Sequence, residues 1–146
     1  MIRFVCLALA LALGTPAFAA DGWRVIDGDG LVAPWGEKLR VGNIDTPEVG
    51  SRCKCKSECA LGAKATAYTT KLIREARTII LTAYSEPGRK FSGHGRSGPL
   101  DPFRRSLVLV SIDGRDLGEL LIAERLARPW TGKRQPWCKP EELHGR

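Results

Sequence analysis

The chain has 146 residues and a formal net charge of +7, with 23 lysines and arginines against 16 aspartates and glutamates. This length is that of one ordinary domain. The positive surplus favours a polyanionic partner, although a basic protein without such a partner would have the same charge.

Residues 1–19 are predicted to be a signal peptide. Arg3 supplies a positive start, residues 4–13 are an apolar run, and residues 17–19 (Ala-Phe-Ala) fit a small-residue cleavage site. The apolar run is shorter than the roughly 20 residues of a transmembrane helix. We therefore expect residues 20–146 to be secreted or periplasmic and free of the membrane after cleavage; a buried core segment is the alternative.

The first strands are predicted from turn signals. Two Asp-Gly pairs at residues 27–30 follow the short apolar stretch 23–26 and predict a tight hairpin. Residues 31–33 return as a second strand. Residues 38–44 form a third strand, with Arg40 on the face opposite its apolar residues. The pattern predicts a three-stranded meander.

Residues 58–76 predict a helix, because Leu61, Ala65, Tyr68 and Leu72 recur at helical spacing. The elements that follow are a fourth strand at 78–83, a long glycine- and proline-rich mobile loop at 85–102, a fifth strand at 106–112, a short helix that ends before Pro129, and a basic tail at 129–146. This order is that of an OB barrel. The predicted fold class is therefore α+β, mainly β, with a five-stranded OB-fold barrel and two to three helices.

Four cysteines remain after cleavage of the signal peptide: Cys53, Cys55, Cys59 and Cys138. An even number in an exported chain predicts two disulfides, and four cysteines allow three pairings. Direct pairing of Cys53 with Cys55 is disfavoured by their close spacing, and we expect Cys138 to bond to one of these two. A four-cysteine zinc site is the alternative, although the spacing lacks the usual C-x2-C pairs.

Charged residues stand at the turns and strand ends. Asp27 and Asp29 lie in the first hairpin turn, residues 45–48 follow the third strand, and Arg104 and Arg105 precede the fifth. Oxygen-rich turns suit hard cations such as Ca²⁺, and a carboxylate beside such a cation can activate water. Arginines can stabilise the charge of a phosphoryl transition state. Taken singly, each feature also fits an ordinary turn, helix start or solvated strand edge.

Taken together, these segments closely resemble the staphylococcal (micrococcal) nuclease family. The matching segments are Val25–Asp29 (VIDGD), Leu39–Glu48 (LRVGNIDTPE) and Asp101–Arg105 (DPFRR). The resemblance covers about residues 23–131 and implies a Ca²⁺-dependent nuclease that hydrolyses DNA and RNA with little sequence preference and leaves 3′-phosphates. It also implies that Asp29 and Asp45 bind Ca²⁺ through their carboxylates and Thr46 through its main-chain carbonyl.

The same resemblance implies three catalytic residues. Glu48 would orient or deprotonate the attacking water, and Arg40 and Arg105 would hold the phosphate oxygens. The chain departs from the family at Gly30, where the family has threonine, and at Arg104, where it has glycine. If that glycine needs a positive φ, Arg104 is strained and Arg105 is misdirected; otherwise Arg104 is free to contact the substrate.

The expected function is thus an exported, monomeric nuclease. An exported OB-fold module that binds nucleic acid without cutting it is the alternative, and an interaction protein that uses its barrel face is a third. The acidic residues favour the enzyme, because carboxylates repel phosphate unless a cation lies between them.

Overall fold

The structure is a computed structural model that describes residues 21–86 and 88–143. The predicted signal peptide and the last three residues of the tail lie outside these ranges. No helix within residues 21–86 and 88–143 is long and apolar enough to cross a membrane.

The described residues form an α+β fold in which strands outnumber helices. The strands are β1 (Arg24–Val25), β2 (Gly30–Val32), β3 (Lys38–Val41), β4 (Ile44–Asp45), β5 (Ile79–Ala83), β6 (Ser106–Ile112), β7 (Arg115–Asp116) and β8 (Arg128–Pro129). The helices are α1 (Lys56–Glu75), α2 (Leu117–Ala123) and α3 (Pro140–Leu143), with a 3-10 turn at Gly50–Arg52 before α1.

One curled sheet contains six strands in the order β1-β2-β3-β6-β5, with β7 paired to β6. The antiparallel pairs β1–β2 and β2–β3 confirm the predicted meander. β3 then pairs parallel with β6, so that Arg40 lies opposite Leu107. A pairing of β1 with β5, which would close a barrel, is not among the pairings of the described residues.

The prediction of one continuous third strand over residues 38–44 is wrong. β3 ends before Gly42, which forms a turn with Asn43. A Cβ on Gly42 would come within 2.1 Å of the Tyr84 ring. The Gly42 N–H donates to the carbonyl of Val108 at 2.9 Å. The chain bends at this close contact and continues as β4, which pairs with β8 in a separate two-stranded sheet. The bend takes Asp45 off the main sheet.

Helix α1 buries a stripe next to the predicted one. Its buried residues are Glu58, Gly62, Ala65, Thr69 and Ile73. Leu61, Tyr68 and Leu72 pack at the edge of the core and are partly buried. A Cβ on Gly62 would lie 2.2 Å from the carbonyl oxygen of Glu48, so only glycine lets α1 lie this close to the segment after β4.

The predicted loop at 85–102 has no regular helix or strand among its described residues. Side-chain hydrogen bonds nevertheless attach it to the residues beside β3. The Glu37 carboxylate accepts hydrogen bonds from the Ser97 N–H at 3.0 Å, the Ser97 hydroxyl at 2.7 Å and the Ser106 hydroxyl at 2.6 Å. Partial burial works against ionisation, but the hydrogen bonds from Ser106, Trp35 and Ser97 outweigh it and lower the pKa of Glu37 to about 2. The ionised carboxylate thus holds the loop that leads to β6.

The four cysteines lie in two pairs at disulfide distance. Cys53 pairs with Cys59 and Cys55 with Cys138, at Cα separations of 5.2 and 5.8 Å, within the usual range. Cys55 is therefore the partner of Cys138 among the two that the sequence allowed. The sulfurs of Cys55 and Cys138 lie within 4.8 Å of a Glu58 carboxylate oxygen, but in this pairing they offer no thiolate for zinc.

We expect the mature protein to contain no free thiol and no zinc. Thiol titration of denatured, unreduced protein should give no reactive thiol, whereas four per chain would contradict the pairing. The bridge between Cys55 and Cys138 joins residues that are 83 positions apart, and it restricts the unfolded chain accordingly. Replacing both of these cysteines by serine should therefore lower the unfolding free energy by about 4 kcal/mol. Urea denaturation measures this loss.

A candidate metal and phosphate site

The first hairpin turn places two aspartates inside the molecule. Asp27 and Asp29 are 6% and 5% exposed. Gly30 makes room for the first of them, since a Cβ at this position would lie 2.5 Å from the Asp27 Oδ1 atom. A glycine at position 30 therefore has a local steric reason.

Arg40 lies opposite Gly30 in the register of β2 and β3. Its Nη1 donates to Asp29 Oδ2 at 2.6 Å, its Nη2 donates to the Ile44 carbonyl at 3.3 Å, and its guanidinium lies 5.3 Å from the centre of the Trp130 ring. The arginine predicted on the third strand is therefore directly paired with a predicted metal ligand.

Burial is the main influence on the ionisation of the Asp29 carboxylate. Burial raises the pKa of Asp29 to about 7; Arg40 opposes this rise, and the neighbouring Asp27 adds to it. A carboxylate in this state favours the approach of a further positive charge, which would restore its ordinary acidity.

Asp45 and Thr46 are buried where β4 ends, with 1% and 3% exposure. Asp45 Oδ2 accepts a hydrogen bond from Trp137 Nε1 at 3.0 Å. The other oxygen, Oδ1, is buried without a hydrogen bond, and an Arg134 Nη1 atom lies 3.7 Å away. The Thr46 carbonyl accepts a hydrogen bond from Arg134 Nη2 at 2.8 Å. A buried carboxylate oxygen left without a donor is costly, and a hard cation would satisfy it.

Glu48 is held between two arginines. Its Oε2 pairs with Arg52 Nε at 2.8 Å, and its Oε1 pairs with Arg134 Nη1. Arg52 also donates to Asp27 Oδ2 at 2.6 Å and thereby links the first hairpin turn to the segment after β4. The Glu48 side chain remains 24% exposed, so water can reach it.

Arg105 is oriented by a buried aspartate. Asp101 Oδ1 accepts the backbone N–H groups of Phe103 and Arg105, each at 2.9 Å. Asp101 Oδ2 accepts Arg105 Nε at 2.8 Å and lies 2.7 Å from Nη2. Arg104, the residue before Arg105, has a positive φ of 59°, so the expected backbone strain is present. Arg105 lines the cleft, where the bidentate contact with Asp101 fixes its guanidinium.

Replacing Arg104 by glycine is expected to raise the unfolding free energy by about 1 kcal/mol, since a left-handed backbone costs a non-glycine residue roughly 1–2 kcal/mol. Thermal melting measures the gain. If Arg104 instead contacts a phosphate, the variant will bind DNA with a smaller salt dependence. An unchanged melting temperature would contradict the strain.

Five of the six predicted site residues line one cleft of about 300 Å³: Asp29, Arg40, Asp45, Glu48 and Arg105. Thr46 lies behind it, with its carbonyl bonded to Arg134, which also lines the cleft. Sequence reasoning gave no role to Arg52 or Arg134. Each of these two arginines lies within four residues of a predicted disulfide cysteine, which is the one signal that could have indicated them.

No family model matches this chain, and no similar curated protein was found.

Proposed function

We propose that this chain is an exported, Ca²⁺-dependent nuclease that hydrolyses phosphodiester bonds of DNA and RNA, on an OB-fold barrel like that of the staphylococcal nuclease family. The observation that carries the proposal is the convergence of Asp29, Asp45 and Glu48 with Arg40 and Arg105 in one cleft. They come from the first hairpin turn, from β3, from β4 and the segment after it, and from the segment before β6.

The acidic residues favour cleavage over binding alone. Buried carboxylates cost free energy unless they are paired or coordinate a cation, and near a phosphate they are also repulsive. A module that only binds nucleic acid would gain from Arg40 and Arg105 and lose from Asp29 and Asp45. The buried acids are accounted for when a cation lies between them and the phosphate.

The oxygen donors fit a hard cation. Asp29 and Asp45 would supply carboxylate oxygens and Thr46 its main-chain carbonyl, and the cation would satisfy Asp45 Oδ1, which is buried without a hydrogen bond. When bound, Ca²⁺ would neutralise phosphate charge and lower the pKa of a neighbouring water.

The remaining residues would perform the hydrolysis. Glu48 accepts a proton from water as the water oxygen forms a bond to phosphorus. The bond between phosphorus and the 5′-oxygen breaks, and that oxygen takes up a proton from solvent, to which Glu48 releases the proton that it accepted. The products are a 3′-phosphate and a 5′-hydroxyl. Arg40 and Arg105 donate hydrogen bonds to the non-bridging oxygens, whose charge is stabilised in the transition state.

Incubation of the mature protein with plasmid DNA and with RNA, in Ca²⁺ and separately in chelator, tests this proposal. Cleavage of both in Ca²⁺ only is expected. DNA that migrates more slowly in a gel with the protein and Ca²⁺ but stays intact would instead identify a nucleic-acid-binding module.

A further inference from the structure

One arginine of the C-terminal tail lies on the oxygens of this cleft. Arg134 Nη2 donates to the Thr46 carbonyl at 2.8 Å, and Nη1 contacts Glu48 Oε1 and lies 3.7 Å from Asp45 Oδ1. Nη2 also lies 3.6 Å from a Glu58 carboxylate oxygen. One guanidinium thus faces three carboxylates and a carbonyl, which is the set of groups that would attract a metal ion.

The backbone that follows Arg134 is fixed. Cys138, four residues later, is bonded to Cys55 at the start of α1. Trp137 is 8% exposed, donates to Asp45, and lies under the Arg128 guanidinium at 4.0 Å. The tail is therefore held beside the cleft by a covalent link and by buried contacts.

The Arg134 side chain, in contrast, is 33% exposed and can leave the cleft while the backbone stays in place. Asp45 has only one oxygen without a hydrogen bond, and that oxygen is the one that faces Arg134. A metal ion and a guanidinium would need the same Asp45 oxygen and the same Thr46 carbonyl, and two positive charges at this separation repel strongly.

We propose that Arg134 is an internal cation that competes with the metal for Asp45 and Thr46 and thereby sets the metal affinity of the cleft. This inference rests on the proposed function, because it takes the Ca²⁺ site of that proposal as given. Competition of this kind is reciprocal: whatever Arg134 gains by occupying the oxygens, the metal loses in apparent affinity. The disulfide keeps the competing charge close, as a short linker does.

Calorimetric titration of the mature protein with Ca²⁺, without nucleic acid, tests the competition. Arg134→Gln removes the charge and should bind Ca²⁺ at least about five-fold more tightly than the parent, the lower end of typical couplings between sites. Lys133→Gln is the matched control, because Lys133 is an exposed tail residue with the same charge outside the cleft. This control should bind Ca²⁺ like the parent, and Arg134→Lys should lie between the parent and Arg134→Gln. Thermal melting of each variant verifies that it is folded.

Equal or weaker Ca²⁺ binding by Arg134→Gln would overturn the inference, and weaker binding would make Arg134 a support for the site. An equal gain in Lys133→Gln would also overturn it, since the effect would then be general charge repulsion. Failure of the proposed function has a different result: neither the parent nor any variant would bind Ca²⁺. Measurable binding by Arg134→Gln alone would support both proposals.

Discussion

Replacing Glu48 by glutamine is expected to lower the rate of DNA cleavage by about 10²- to 10⁴-fold, the usual contribution of a positioned general base. Glutamine keeps the shape of the side chain and one oxygen for Arg52 or Arg134, but it cannot accept a proton. DNA binding should stay near the parent value or tighten slightly, because one negative charge near the phosphate is lost. Both ion pairs of Glu48 are partly exposed, so stability should change by less than about 1 kcal/mol.

Single-turnover cleavage in Ca²⁺, with DNA affinity measured by fluorescence anisotropy, separates the two effects. Glu119→Gln is the matched control: Glu119 is an exposed glutamate in the first turn of α2, outside the cleft. If Glu48 does no more than favour the start of a helical turn, the two variants will behave alike. A Glu48→Gln protein that cuts DNA at the parent rate would show that the catalytic role is wrong.

Replacing Arg40 by alanine is expected to lower rate, affinity and stability together. A guanidinium that binds a phosphate acts on both the bound and the transition state, so a loss of about 10²-fold in rate should accompany weaker binding. The Arg40 side chain is 11% exposed and pairs with the buried Asp29. Its removal should cost about 3 kcal/mol of unfolding free energy, the lower end for a broken buried pair, because Asp29 can take up a proton instead.

Urea denaturation measures the stability loss, and the dependence of binding on salt measures the lost phosphate contact. The slope of log K against log salt should fall by about 0.7 on single strands for each contact removed. Arg115→Ala is the control, since Arg115 is exposed on β7 and lies outside the cleft. Equal salt slopes for Arg40→Ala and the parent would contradict the phosphate contact.

Much of the fold could be predicted because its signals are local. The Asp-Gly turn, the helical spacing of α1 and the β-branched run of β5 each lie within one short segment. The break in the third strand could not be predicted in this way. It depends on the packing of Gly42 against Tyr84, a contact between residues far apart in the sequence that no local pattern records.

The same division holds for the site. Asp29, Asp45 and Arg105 stand at a turn or strand end, and Arg40 lies within β3. The motifs that contain these residues predicted a common site. Arg134 lies on Glu48 and Thr46 only because the disulfide to Cys55 brings the tail back across the chain. The pairing of four cysteines cannot be chosen from spacing alone, so this contact could not be predicted.

The most direct measurement is the cleavage of a labelled single-stranded oligonucleotide by the mature protein in Ca²⁺, with identification of the product ends. We predict cleavage that stops when Ca²⁺ is chelated, products that end in 3′-phosphates, and no cleavage above background by Asp45→Asn. An oligonucleotide that stays intact in Ca²⁺, or that is cut equally fast after chelation, would contradict it.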